Sequence, residues 1–368
     1  MKKLMKRKVL FLFSLLSVHI MSQQIQPKKN GNIHSLLEKE SNIFMETKGA
    51  VGVSAGLIYQ GQFYTCNAGS VQKGIVNKPT EDTFYPIASV TKTFTGLLLA
   101  MAVNENKVKL DDDIRKYLDG EYPNLQFEGH PILLSHLISH VSRLPFFLSD
   151  KAEKPGYSRV DFFKDLHMVK LDMLPGIKFR YSNAAAQLLG FILEKVYHSS
   201  YENILQIKIT GPLKMQHTRI ALTETDKRHT VKGYNEDGSY NPELYNYMQA
   251  AGGLKSTTRD LLNYISRQMD LKDTAILLSH KECWGFDMEK GVRYSNSLGW
   301  QITKNTEGFS RISQDGNLAN CSSEIIFCPE LKVGVVILSN SYMPDAVSFM
   351  ANEILKQIEP AMFSQIKL

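Results

Sequence analysis

The run Ile87-Ala88-Ser89-Val90-Thr91-Lys92-Thr93-Phe94-Thr95-Gly96-Leu97-Leu98-Leu99-Ala100 joins a small polar cluster to an apolar helical pattern. From Phe94 the apolar positions fall at Leu97, Leu98, Met101 and Ala102, the spacing of one helix face packed on a core. Ser89 stands at the start of that helix. With Lys92 one turn along, a hydroxyl lies beside an amine, and the backbone N–H groups of the helix start point at whatever the hydroxyl attacks. The same residues also describe an N-cap serine followed by a solvated lysine, and Ser-x-x-Lys is frequent by chance. The rest of the chain decides between the two readings.

With 368 residues and 43% hydrophobic content, the chain can bury a full core in one large or two interlocked domains. Its beginning is a separate segment. Residues 1–8 carry five Lys/Arg and no acid, and residues 9–21 are apolar except for Ser14, Ser17 and His19. We read residues 1–22 as a secretory signal peptide, with an apolar part too short for a comfortable membrane span. The small-residue cleavage pattern near Ser22 and Gln23 is poor, so an uncleaved anchor is the alternative. The mature protein is expected in the periplasm or secreted, with no stable membrane span. Setting those five cations aside leaves 38 Lys/Arg against 37 Asp/Glu, so the positive charge belongs to the export segment and no nucleic-acid partner is expected. The four cysteines, at 66, 283, 321 and 328, lack metal-ligand spacing. Cys321 and Cys328 flank one predicted strand, which holds them about 20 Å apart and prevents their pairing.

Residues 23–34 read as a polar leader, followed by a helix over 35–48. Val51, Val53, Ala55, Leu57 and Tyr59 alternate, Gln60-Gly61 turns, and residues 63–68 continue extended, which is a β-hairpin. The Ser89 helix is expected to end by Asn106, and an aspartate of Asp111-Asp112-Asp113 caps the next helical turn. Residues 131–220 are helical and loop-rich, with apolar stripes at Leu133, Leu134, Leu137, Ile138 and at Ala185, Leu188, Leu189, Ile192, Leu193, Val196. Residues 257–269 read as another helix. Strand patterns return at 298–302, 323–327 and 333–338, and Asp345 is expected to cap a last amphipathic helix. Strands at both ends and helices between them predict an α+β fold: an antiparallel β-sheet flanked by terminal helices (23–110 and 250–368) with an inserted, mainly helical domain (111–249). A site is expected in the cleft between the two parts.

Residues 84–95 followed by Leu110-Asp111-Asp112 resemble the serine β-lactamase and penicillin-binding-protein superfamily, in its class C-like branch of carboxypeptidases, esterases and related hydrolases. The likeness covers nearly the whole mature chain. Residues 137–145 are similar to the branch's His-Thr-Ser-Gly-Leu-Pro segment, residues 175–183 to its second motif, and residues 251–254 to a later helix start. Tyr-Ser-Asn occurs twice, at 181–183 and 294–296. The first copy follows Pro-Gly and precedes a strong helix, so it is taken as the motif. The resemblance implies Ser89 as nucleophile, Lys92 as base, and Tyr181 helping the base and returning a proton to the leaving group. A phenol does this as phenolate only if cations favour that form. Asn183 is suited to hold Lys92 or a substrate amide.

The third motif departs from the family's Lys-Thr-Gly or His-x-Gly: the candidate is Gln314-Asp315-Gly316, followed by Asn317. In this reading Gly316 lets substrate approach, and the N–H groups of Asn317 and Ser89 form the oxyanion hole. Gln314 cannot supply the positive charge that grips a substrate carboxylate. Arg143 stands where the family usually has glycine, and Asn320 and Cys321 where it usually has glycine and an aromatic. Arg143 is either a replacement cation or a surface residue. His136 and His140, four apart, are expected to pack and cap rather than bind metal. No cofactor is expected. The implied activity is that of an exported serine hydrolase acting through a Ser89 acyl-enzyme on an ester, D-amino-acid peptide or β-lactam-like substrate. Its expected partner is a small acyl substrate or cell-wall peptide. The alternative is a catalytically weak or inactive binding protein on the same scaffold.

Overall fold

A computed structural model of the protein describes residues 26–152, 154–242 and 248–364. The expected signal peptide, residues 1–22, lies outside the described residues. Among those described, no helix is long and apolar enough to cross a membrane.

The predicted hairpin forms β1 (Gly52–Tyr59) and β2 (Gln62–Gly69), joined by Gln60 and Gly61, both at positive φ as a tight hairpin turn requires. Before it, helix α1 (Gln26–Glu46) begins earlier than the expected start at Ser35. Ile33, Leu36, Leu37 and Phe44 are buried, so packing on the sheet extends a helix whose composition suggested a loose leader.

From the other end of the chain come β3 (Trp284–Asp287), β4 (Arg293–Asn296), β5 (Gln301–Lys304), β6 (Ser310–Leu318), β7 (Cys321–Cys328) and β8 (Val333–Ser339). All pairings are antiparallel, and the sheet order is β2-β1-β8-β7-β6-β5-β4-β3. The first hairpin therefore closes on the last strand. β1, β7 and β8 are buried at every position, because both faces of the sheet are covered. One face packs on α1 and on a C-terminal helix, α5 (Pro344–Ile358). The other face packs on α2 (Thr91–Asn104) and α4 (Thr258–Gln268), and that core runs on without a break into the helices of residues 111–249. No disulfide joins any two of the four cysteines, and Cys321 and Cys328 sit at opposite ends of β7.

Several local expectations are corrected. The α2 helix was expected to bury one face, yet it is buried nearly all round, from Thr91 to Ala100 and at Ala102, because it is the central helix between sheet and helical layer. It ends at Asn104, within the expected limit of Asn106. The strand expected over 298–302 begins only at Gln301: Gly299 sits at φ +86° against the Lys92 carbonyl, where an added Cβ would come within 2.5 Å, so the chain bends over the helix first. Strands β3 and β4 carried mixed polar and aromatic residues and were not foreseen. Asp345 does not cap α5; Pro344 occupies the first turn and the Met343 N–H goes to Ser322 Oγ at 2.9 Å. Asp113 does cap its turn, accepting from Arg115 N at 2.9 Å, and Thr257 caps α4.

Candidate active site

Ser89 lies in a single 3-10 turn, Ala88–Val90, that leads into α2. The turn begins with Ala88 at φ +45°, a left-handed conformation costing about 1 kcal/mol or more for a residue with a side chain, and such strain clusters at functional sites. The first N–H groups of a helical turn have no partner within it, so the Ser89 N–H is available to a ligand.

Lys92 follows one turn on and has no solvent exposure. Its Nζ lies 2.9 Å from Ser89 Oγ and donates to Asn183 Oδ1 at 2.8 Å and to Ala251 O at 2.7 Å. Burial pulls its pKa down to about 7, against the opposing pull of the Asp315 carboxylate. Near neutral pH a large fraction of the amines therefore carries a lone pair facing the serine hydroxyl. The bland reading of a solvated lysine is thereby excluded.

Tyr181 donates its hydroxyl to Ser89 Oγ at 2.7 Å from the other side. The sequence suggested a phenolate stabilised by the lysine. Burial instead pushes the phenol's pKa up; the Ser89 hydrogen bond lowers it and the Asp315 charge raises it further. Tyr181 is a proton donor here, and Lys92 alone has the pKa of a base. Its ring lies against His140, with centroids 4.2 Å apart. His140 is buried, its pKa lowered by burial and by Lys92 to about 3, and its Nδ1 accepts from Ser182 N at 3.2 Å. It is a neutral wall behind the tyrosine. His136 accepts from Leu133 N through Nδ1 at 3.2 Å, so both histidines pack and cap. Among the described residues no group of three metal-ligating side chains comes together.

Asn183 opens helix α3 (Asn183–Tyr197), with Ser182 as its N-cap. It is held because its N–H and that of Ala184 both donate to Phe146 O, at 3.0 and 3.1 Å. The second Tyr-Ser-Asn lies on β4, where Tyr294 bonds Asn296 and Gln301, and that asparagine does not reach Lys92. Strand β6 passes Ser89 at Gly316. A Cβ there would lie 2.3 Å from Ile87 O, 2.5 Å from Ser323 Oγ and 3.0 Å from Ser89 N, so only glycine lets the strand come this close.

The sequence model of the family described as Beta-lactamase matches residues 41–357. The chain belongs to the Beta-lactamase family. It is similar to Protein flp of Staphylococcus aureus (strain N315), 28% identical over 327 residues, covering 86% of this chain and 63% of that protein. It is also similar to a protein named Beta-lactamase from Yersinia enterocolitica, 24% identical over 383 residues, covering 92% and 93% of the two chains. The chain thus spans under two thirds of the length of the Protein flp relative.

In this β-lactamase-family chain the third-motif strand differs from the nucleophile region. Gln314 is buried and its amide turns back along its own strand, donating to Asp315 O at 2.8 Å. Asp315 accepts from Asn317 Nδ2 at 2.9 Å, so the Asn317 side chain is committed while its main chain follows Gly316 past Ser89. Arg143 is neither a surface residue nor a cation for the cleft. It is buried at φ +67°, a glycine-like conformation, and its guanidinium grips Asp172 through two bonds of 2.9 and 2.8 Å. Sequence reasoning missed the Ala251 carbonyl and the Asp315 charge. The break at Ala251-Gly252-Gly253 and the unusual Asp between Gln314 and Gly316 were the available signals.

Proposed function

We propose that this protein is an exported hydrolase that works through an acyl-enzyme on Ser89. The observation that carries the reading is the pair of contacts converging on Ser89 Oγ, from Lys92 at 2.9 Å and from Tyr181 at 2.7 Å. Neutral Lys92 takes the serine proton as Oγ attacks an ester or amide carbonyl. The resulting ammonium stays solvated by Asn183 Oδ1 and Ala251 O. The oxyanion is received by the N–H groups of Ser89 and Asn317. Tyr181, a neutral phenol, passes a proton to the leaving group, and water then releases the acyl group by the reverse route.

Candidate substrates are carboxylic esters, D-amino-acid peptides and β-lactam-like amides. Gln314 in place of a cation favours esters, since it gives a substrate carboxylate no opposite charge. Export rests on the basic and apolar pattern of residues 1–21. Incubation with p-nitrophenyl acetate and a fluorescent penicillin, followed by intact-protein mass spectrometry, tests the mechanism. A Ser89 adduct or turnover in wild type, absent in Ser89→Ala, is expected; equal reaction of the alanine variant would sink it.

A second reading, a weakly catalytic binding protein, is favoured by the same Gln314. It predicts an acyl adduct that persists, and repeated turnover on any acyl substrate removes it.

A further inference from the structure

Aromatic side chains run in a row outward from Tyr181. Tyr181 packs on His140, and His140 meets Phe179 edge-on at 5.8 Å between centroids. Phe179 reaches Trp284 at 5.9 Å, Trp284 reaches Phe286 at 5.6 Å, and Phe286 reaches Tyr294 at 5.2 Å. Phe179 and Tyr181 come from the loop before α3, His140 from an earlier loop, and the outer members from β3 and β4. Trp284 fastens the two by donating Nε1–H to Ile177 O at 3.0 Å. Single exposed apolar residues are ordinary, but a row that touches a reactive group marks a binding surface. Here Phe286 remains 46% exposed and Ile177 65%.

Charge narrows the occupant. The Asp315 carboxylate acts on both Tyr181 and Tyr294, so its field covers both ends of the row, and Gln314 offers no counter-charge. Gln314 therefore gives an anionic group no charged partner beside Ser89, whereas an uncharged apolar group needs none. Position narrows it further, because the row starts at the residue that supplies the leaving group's proton.

Resting on the Ser89 hydrolase reading, we propose that Phe179, Trp284 and Phe286 bind an uncharged aryl or alkyl alcohol as the leaving half of a carboxylic ester. The Ser89 Oγ–acyl bond forms and the ester C–O bond breaks. The electron pair leaves with the alcohol oxygen, which takes the proton relayed from Ser89 by Lys92 through Tyr181. Water then attacks the acyl-enzyme, and the carboxylic acid departs.

Benzyl and ethyl acetate have leaving groups of similar basicity, so comparing them reads binding rather than intrinsic reactivity. The wild type is expected to prefer the benzyl ester by roughly tenfold or more in kcat/KM. Phe286→Ala, and independently Trp284→Phe with Phe179→Leu, should collapse that preference through KM, the benzyl ester losing about tenfold more than ethyl acetate. An undiminished preference overturns the proposal.

A second measurement separates this from failure of the hydrolase reading. The chain has only two tryptophans, and Trp300 is buried. In Ser89→Ala, titration with benzyl acetate should change the Trp284 fluorescence, and Trp284→Phe should abolish the change. Absence of that change overturns the proposal, whether or not Ser89 acylates. So does concentration-dependent dimerisation lost in Phe286→Ala, which would give the row to a second copy of the chain.

Discussion

Two regions meet at Ser89 and are built in different ways. The nucleophile region, from α2 and the start of α3, places an amine, a hydroxyl, a phenol and a carboxamide in one hydrogen-bonded set, each atom held by backbone or packing. The third-motif strand keeps the backbone approach at Gly316 but carries a self-bonded amide and a carboxylate where a cation would sit. The contrast teaches that bond-making and substrate recognition are separable on this scaffold. In the proposed mechanism, proton handling rests on the buried Lys92 amine, and the charge of the neighbouring strand selects what is brought to it.

The largest effects should come from the nucleophile region. Lys92→Met is expected to lower kcat/KM on a reactive ester by about a thousandfold or more, as removal of a catalytic group usually does. Its stability should also lose a pH dependence. Folded Lys92 titrates at about 7 and unfolded lysine at 10.5, so between those values the unfolded chain binds the extra proton. Wild-type stability therefore rises with pH across that window relative to Lys92→Met, and urea titrations at several pH values read the difference. Parallel curves for the two proteins would contradict a buried, neutral lysine.

Tyr181→Phe should cost roughly a hundredfold or more, because it removes a positioned proton donor while leaving the ring stack on His140. The loss should be smallest for p-nitrophenyl esters, whose leaving group needs no proton. An equal loss for all leaving groups would assign the hydroxyl to positioning Ser89.

Changes on the strand should be smaller and selective. Gln314→Lys is expected to raise kcat/KM by about tenfold for substrates bearing a carboxylate beside the scissile bond, with little change for neutral esters. A gain for both classes would mean that Gln314 limits the chemistry itself. Asp315→Asn is the mildest. Asp315 raises the Lys92 pKa, so its removal lets the amine stay neutral to lower pH. The acid limb of the kcat/KM profile should move down, and an upward move would refute the field assigned to Asp315.

Much of this was legible from the sequence because it depends on short-range patterns. The β1–β2 alternation, the turn at Gln60-Gly61, the α3 stripe and the order Ser89/Lys92, Tyr181/Asn183, Gly316 each follow from periodicity or a motif. What escaped depends on neighbours far away in the chain. The all-round burial of α2 is set by layers on every side, and the bend at Gly299 by the Lys92 carbonyl beneath it. Strand β4 is held by pairing to β5, and β3 by pairing to β4, rather than by their own composition. The phenolate expectation for Tyr181 failed because adjacency to a lysine counts for little once that lysine is itself neutralised by burial. Arg143 looked like a stray cation until Asp172, distant in sequence, appeared against it.

The enclosure of α2 also bears on hydrogen exchange. From Thr91 to Ala100 the helix has no solvent face, so those amides exchange only when the sheet and the helical layer part. The turn carrying Ser89 leads directly into that helix, and α1 covers the opposite face of the sheet. Partial unfolding that sheds α1 would therefore leave the nucleophile and its amine in register, and the amides of α2 should be among the last in the molecule to exchange.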